Sequence, residues 1–247
     1  MRAIVLWAAI SALLTALGGA LFGPLGALIA AAACSFYLLV FAWLPRAAHR
    51  SFSRADYRRA ARYFKLAGLV RISASARRAA KLSVCACELG EGRFEEGLTV
   101  IEKLPESKLE PGARAVWNNN VAYALARLEI RSTEAVAYAN SALEKRPALP
   151  GFLHTRAIAL LAAGRIEEAI SGLEEAYTGD STESPLEAER CFDLGRAWAR
   201  KGEDDYACDY FNRARVAAPT SLWAGRAEAE LRARGAAPSG PPTDGLL

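Results

Sequence analysis

Few residues in this 247-residue chain have the types and spacing that catalysis needs. His49 and His154 are its only histidines, so neither a His-based metal cluster nor a nucleophile–His–Asp triad is expected. Cys85 and Cys87 are separated by one residue rather than the two of a redox or zinc pair. On a helix their side chains would diverge by ~200°. The adjacent glycines Gly18 and Gly19 lie in an apolar run, not in a phosphate-binding loop. Three acidic pairs, Glu95-Glu96, Glu167-Glu168 and Asp204-Asp205, recur at equivalent places and suit helix N-termini through the helix dipole, not acid–base work. No enzyme and no cofactor is expected. The chemistry left is that of binding.

The charges that could bind are unevenly placed. Residues 1–44 carry only Arg2; residues 45–83 carry a net charge of +10, with Asp56 their one acid; residues 84–247 carry −7. The whole-chain value of +4 hides this division. It excludes a disulfide scaffold and a wholly disordered chain.

The uncharged zone holds two apolar runs, Ile4–Phe22 and Leu25–Leu44, separated by Gly23-Pro24. Each is long enough, at ~1.5 Å per residue, to cross a bilayer core of ~30 Å as a helix. They read as a transmembrane helical hairpin over residues 1–45. A cleaved signal peptide fits less well: the first run is long for one, its basic flank is a single Arg, and a second run follows. Ala8, Ala12, Ala16 and Ala20 on the first helix, and Ala27, Ala31 and Ser35 on the second, give small-residue stripes for close helix packing, and Gly19–Gly23 adds a GxxxG. Trp7 and Trp43 fall at one membrane boundary. Positive charge flanks only the open end, so both termini are expected in the cytoplasm. The five cysteines show no disulfide framework, as expected of a reducing compartment.

Residues 46–78 form a basic juxtamembrane segment. Arg54, Arg58, Arg62 and Lys65 stripe one helix face, and Tyr57, Ala60, Phe64 and Ala67 another. With Arg46 and Arg50, these cations are expected to contact anionic lipid headgroups. The bilayer accounts for the charge, and no nucleic acid is expected.

Residues 79–220 repeat. Gly97, Ala135, Ala169 and Ala207 anchor units at separations of 38, 34 and 38, each a helix, a small turn and an acid-started second helix. With Ala207 as anchor, Gly195, Trp198, Gly202, Phe211, Ala214 and Pro219 take repeat positions; with Ala169, so do Ala157, Leu160, Gly164, Ile166, Leu173 and Ala176. The unit anchored by Ala135 needs one residue inserted near 129–132. Periods of this kind mean a helical solenoid, in which no unit buries its apolar stripe alone. In this pattern the chain resembles the tetratricopeptide repeat (TPR) family, over about residues 55–220. Tyr57, Ala60, Phe64 and Ala67 match a lone second helix, with the membrane helix as its partner. Residues 221–234 read as a capping helix and 235–247 as a disordered tail. The fold class is therefore all-α, a transmembrane hairpin followed by a TPR-like solenoid.

In that family the first helices line a concave groove. The resemblance carries a peptide-binding role onto Asn119, Asn120, Tyr123 and Arg127 from the second full repeat. It adds His154, Thr155, Ile158 and Leu161 from the third, and Phe192, Asp193, Arg196 and Arg200 from the fourth. Asn would bond a peptide backbone and Arg its carboxylates. The function so implied is a membrane-anchored adaptor that recruits a protein or peptide partner. The alternative is a structural subunit of a membrane complex, such as a secretion or envelope-assembly machine, with the hairpin packed on other membrane subunits.

Overall fold

The computed structural model describes residues 2–176 and 185–235, and these are all-α. The side chains of Trp7 and Ala8 and the tail from residue 236 lie outside the described residues. The first helix, α1 (Arg2–Leu38), breaks at Gly23, whose φ of 67° and ψ of −163° only glycine takes easily. Pro24 follows and starts the second arm with a preset φ. Residues eight and twelve apart in a straight helix lie ~12 and ~18 Å apart. Here a Cβ on Gly18 would stand 2.7 Å from the Gly26 carbonyl oxygen and 3.2 Å from the Ala30 Cβ. The chain doubles back at Gly23.

The seam differs in part from the one expected. Gly18 and Gly19 face Gly26, Ala27 and Ala30, whereas Ala12, Ala16, Ala20 and Ser35 are exposed. The tight turn sets the register, and it places glycine opposite glycine. Leu13, Phe22, Leu25 and Leu28 are also exposed. Among the described residues one helical stretch, Ala9–Ser53 with its break at Gly23, is long and apolar enough to cross a membrane, its most apolar 18-residue window having mean hydropathy 2.2.

The second arm continues through a turn of π-helix at Leu39–Trp43 into α2 (Leu44–Ser53). Pro45 explains the wider turn, because its ring would strike the carbonyl of residue 41 in a regular helix. Arg46 Nη1 donates to the Ala42 carbonyl at 2.7 Å. Helix α3 (Tyr57–Leu69), capped by Asp56, packs against α2 through Ala48, Ala60 and Phe64. The apolar arm therefore extends without interruption into the partner of α3.

The repeats are four helix pairs: α4 (Ala74–Gly90) with α5 (Phe94–Glu102), α6 (Pro111–Leu128) with α7 (Ser132–Lys145), α8 (Pro150–Ala162) with α9 (Ile166–Glu175), and α10 (Pro185–Lys201) with α11 (Asp204–Ala217). Ala135, Ala169 and Ala207 are fully buried where paired helices meet. Three turns use a left-handed glycine, at Gly92, Gly164 and Gly202. In the α6–α7 turn Glu129 takes that place with φ 55°, and the extra residue leaves Arg131 left-handed as well, with φ 49°. One core runs from Leu82 to Leu231.

Helix α12 (Leu222–Ala233) packs on α10 and α11. It also reaches back to the first repeat. Leu222 lies against Gly92, and the Arg226 guanidinium sits 5.2 Å from the Phe94 ring centre. The last helix thus crosses the concave side.

Candidate functional site

That crossing divides the concave face in two. On the side of α2 and α3 is a cavity of about 380 Å³, within the ~300–1,000 Å³ of ligand pockets. Helix α2 supplies His49 and Phe52; α3 supplies Tyr57 and Phe64; the first helices of the repeats supply Ser83, Ala86, Leu89, Val116, Asn119, Asn120, Tyr123, Phe152, His154, Thr155 and Glu189. Exposed His49, Leu149 and Leu186 form its mouth. Five of the residues assigned to the groove from sequence, Asn119, Asn120, Tyr123, His154 and Thr155, meet here.

The polar groups of the cavity differ in availability. The Asn119 Oδ1 is buried with no hydrogen-bond partner. Asn120 Nδ2 donates to the Leu82 carbonyl at 3.3 Å, so it ties α6 to α4. The Thr155 hydroxyl donates to Gly151 in its own helix at 2.9 Å. Burial, and then the Glu189 charge, push the Tyr57 phenol above its usual range, so it stays a donor.

Beneath the crossing the face is closed, with Tyr123, His154 and Glu189 as its boundary with the cavity. Arg127 donates to Asp193 Oδ1 and Oδ2 at 2.5 and 2.8 Å and to Glu189 Oε1 at 2.5 Å. Tyr123 donates to the same Glu189 oxygen at 2.6 Å, and His154 Nε2 lies 3.0 Å from Asp193 Oδ2. The Trp223 ring of α12 lies over Arg127, with its centre 4.1 Å from the guanidinium carbon. Burial alone would raise the Asp193 carboxyl; Arg127 and His154 outweigh it and hold the group below the usual carboxylate range. Burial likewise opposes the charge on Arg127, and Asp193, Tyr123 and Glu189 sustain it.

His154, Glu189 and Asp193 bring ligand atoms within 4.8 Å of one another, a spacing that could hold a metal ion. The Arg127 guanidinium already occupies their charge, and a cation placed among them would face it. The arrangement suits a structural ion-pair network.

The remaining groove assignments fall in this closed half. Ile158, Phe192 and Asp193 are buried, with the Phe192 ring 5.4 Å from that of Trp223. Leu161 is buried too. Arg196 and Arg200 both bond Glu129, the latter at 2.6 Å, and Arg200 also donates to the Leu161 carbonyl at 2.7 Å. Burial would raise the Glu129 carboxyl, but the two arginines lower it below its usual value. The left-handed turn at 129–131 is thus held by charge on both flanks, since Arg131 pairs with Glu102 and Glu134.

All six cations assigned to lipid, Arg46, Arg50, Arg54, Arg58, Arg62 and Lys65, are exposed; Arg58 also lies 3.4 Å from Glu91.

Sequence reasoning missed Glu189, Val116 and Gly151. They stand three residues before Phe192, Asn119 and His154, so one repeat position would have found all three. It also missed His49, Phe52 and Trp223, which no repeat position marks.

No family model matches the sequence, and no curated protein sequence matches it. Solved structures do match the fold. TTC0263, a thermophilic TPR protein of Thermus thermophilus, aligns with TM-score 0.53 at 16% identity, over 76% of this chain and 97% of that one. YrrB, a TPR protein with an unusual peptide-binding site, aligns with TM-score 0.42 at 19% identity, over 75% and 90%. MamA of Desulfovibrio magneticus RS-1 aligns with TM-score 0.42 at 15% identity, over 71% and 93%. The repeat region has the fold of a TPR protein.

Proposed function

We propose that the chain is a membrane-anchored TPR scaffold that recruits a protein partner to the cytoplasmic face by holding an extended segment of it in the 380 Å³ cavity. The observation that carries this reading is the shared helix. The apolar arm that begins at Pro24 runs through the π-turn into α2, whose His49 and Phe52 wall the cavity. A partner held there is held at the membrane, which raises its effective concentration. In this reading the two arms of α1 are two spans, and the charge on their open end favours both termini in the cytoplasm. Aromatic and aliphatic walls accept apolar side chains, while Asn119 offers an unpaired acceptor to a backbone N–H.

A second reading has one observation in its favour. Ala12, Ala16 and Ala20 are exposed on the hairpin, and a small-residue face suits packing on another membrane subunit. A photo-crosslinking residue at Asn119, and another at Ala16, separate the two in intact membranes. The scaffold reading expects a discrete adduct from position 119. An adduct from position 16 alone would replace it with the structural-subunit reading. Reporters active only in an oxidising compartment, fused at either terminus, should stay silent.

A further inference from the structure

Helix α3 runs back along α2 toward the apolar hairpin. His49 meets Phe64, Trp43 meets Tyr63 at 5.6 Å between ring centres, and the Arg71 guanidinium lies 4.9 Å from the Phe41 ring centre. From Tyr57, which meets Phe52, to Arg71, which meets Phe41, the partners shift toward the start of the other helix, so the turn after α3 returns to the level of Phe41, at the edge of the apolar arm. At that end α3 buries nothing on its outer face. Leu66 is 51% exposed, Leu69 79% and Ile72 93%. Three large aliphatic side chains left together at one helix end need a covering surface.

The surrounding charge says which surface. No acidic residue occurs between Asp56 and Glu88. Arg62 and Lys65 stand on the same outer face as Leu66 and Leu69, and Arg71 and Arg77 flank Ile72. Arg62, Lys65 and Arg77 are exposed. Apolar tips ringed by long cations fit an interface in which aliphatic groups enter the acyl boundary while cations reach the headgroups.

We propose that the α3–α4 turn is a second membrane contact, in which Leu69 and Ile72 enter the interface of an anionic bilayer and Arg62, Lys65, Arg71 and Arg77 bind its headgroups. The proposal rests on the anchoring of the hairpin described above and adds to it. One hairpin leaves the repeats free to swing; a second contact fixes their tilt and so the side on which the cavity mouth faces the membrane.

The test uses the full chain in vesicles. In a Cys34→Ser, Cys208→Ser background, single labels are placed through Ile72→Cys, Leu28→Cys and Ser171→Cys. Fluorescence is quenched by lipids brominated near the headgroup or near the chain end. In vesicles containing phosphatidylglycerol, the Ile72 label should be quenched several-fold more than the Ser171 label, and most by the shallow bromine. The Leu28 label, within the apolar arm, should be quenched by lipids of both kinds. In purely phosphatidylcholine vesicles the Ile72 quenching should fall while that of Leu28 persists. Quenching of Leu28 with Ile72 no different from Ser171 overturns the second contact and leaves the anchor standing. No lipid quenching at Leu28 overturns both.

Discussion

Asn119 and Arg127 stand on one face of α6, eight residues or ~12 Å apart, at places the repeat makes equivalent for ligand contact. One lines an open cavity with an unpartnered oxygen; the other is sealed beneath Trp223 with both carboxylates it could attract already in hand. The difference comes from α12. A concave face is a shape, and what fills it decides whether its residues bind or brace. In this chain the distal half braces the solenoid, and the proximal half, walled by α2 and α3, is left open.

The closed half should be the more sensitive. Arg127→Met removes the partner of two buried carboxylates and should cost about 3–5 kcal/mol, read as a fall in denaturation midpoint of the full chain in detergent. A loss under ~1 kcal/mol, the range of exposed ion pairs, would make the network peripheral. Trp223→Ala empties the cover and should cost about as much, ~3–5 kcal/mol. Acid tests the same network. Because the folded Asp193 carboxyl lies below its unfolded value of ~3.9, its contribution is complete above about pH 4. It is lost as pH falls through the folded value. Stability should decline on acidification, and Asp193→Asn should flatten that decline while lowering stability at neutral pH.

At the boundary the effects shrink. Asn120→Ala loses its bond to the Leu82 carbonyl, about 1 kcal/mol. Arg196→Ala with Arg200→Ala breaks pairs to the partly exposed Glu129 and should cost no more than ~1 kcal/mol per pair. If that double variant also leaves partner binding intact, these arginines belong with the brace. Asn119→Ala should leave stability within ~0.5 kcal/mol and weaken the partner, so its binding and folding effects run opposite to those of Arg127→Met.

Much of this was legible in the sequence. The small anchors at Ala135, Ala169 and Ala207 and the three turn glycines mark the helix pairs, because close packing and a left-handed turn constrain residue type locally. Even the added residue near 129–132 was visible, and it emerges as a turn with two left-handed side-chain-bearing residues. The rest lies in contacts without a local signature. Glu189 and Asp193 sit 62 and 66 residues from Arg127, and nothing in the spacing says that three charged groups will be buried together. The contact of Leu222 with Gly92 depends on the summed curvature of four repeats. In the hairpin, Gly19 and Ala27 of the expected small residues lie in the seam, but the alanine stripe at 12, 16 and 20 does not, because the turn at Gly23 fixes a register that sets Gly18 against Gly26 and Ala30.

Thiol accessibility tests the division of the concave face most directly. Asn119→Cys and Phe192→Cys would each be introduced into the full chain with Cys34 and Cys208 replaced by serine. Burial, and then nearby glutamates, push the remaining thiols Cys85, Cys87 and Cys191 up to about 12, which keeps them unreactive. Under native conditions a small thiol reagent should label position 119 at least tenfold faster than position 192, and Trp223→Ala should narrow the gap. Equal labelling of the two positions in the otherwise unchanged chain would contradict a concave face that is open in one half and closed in the other.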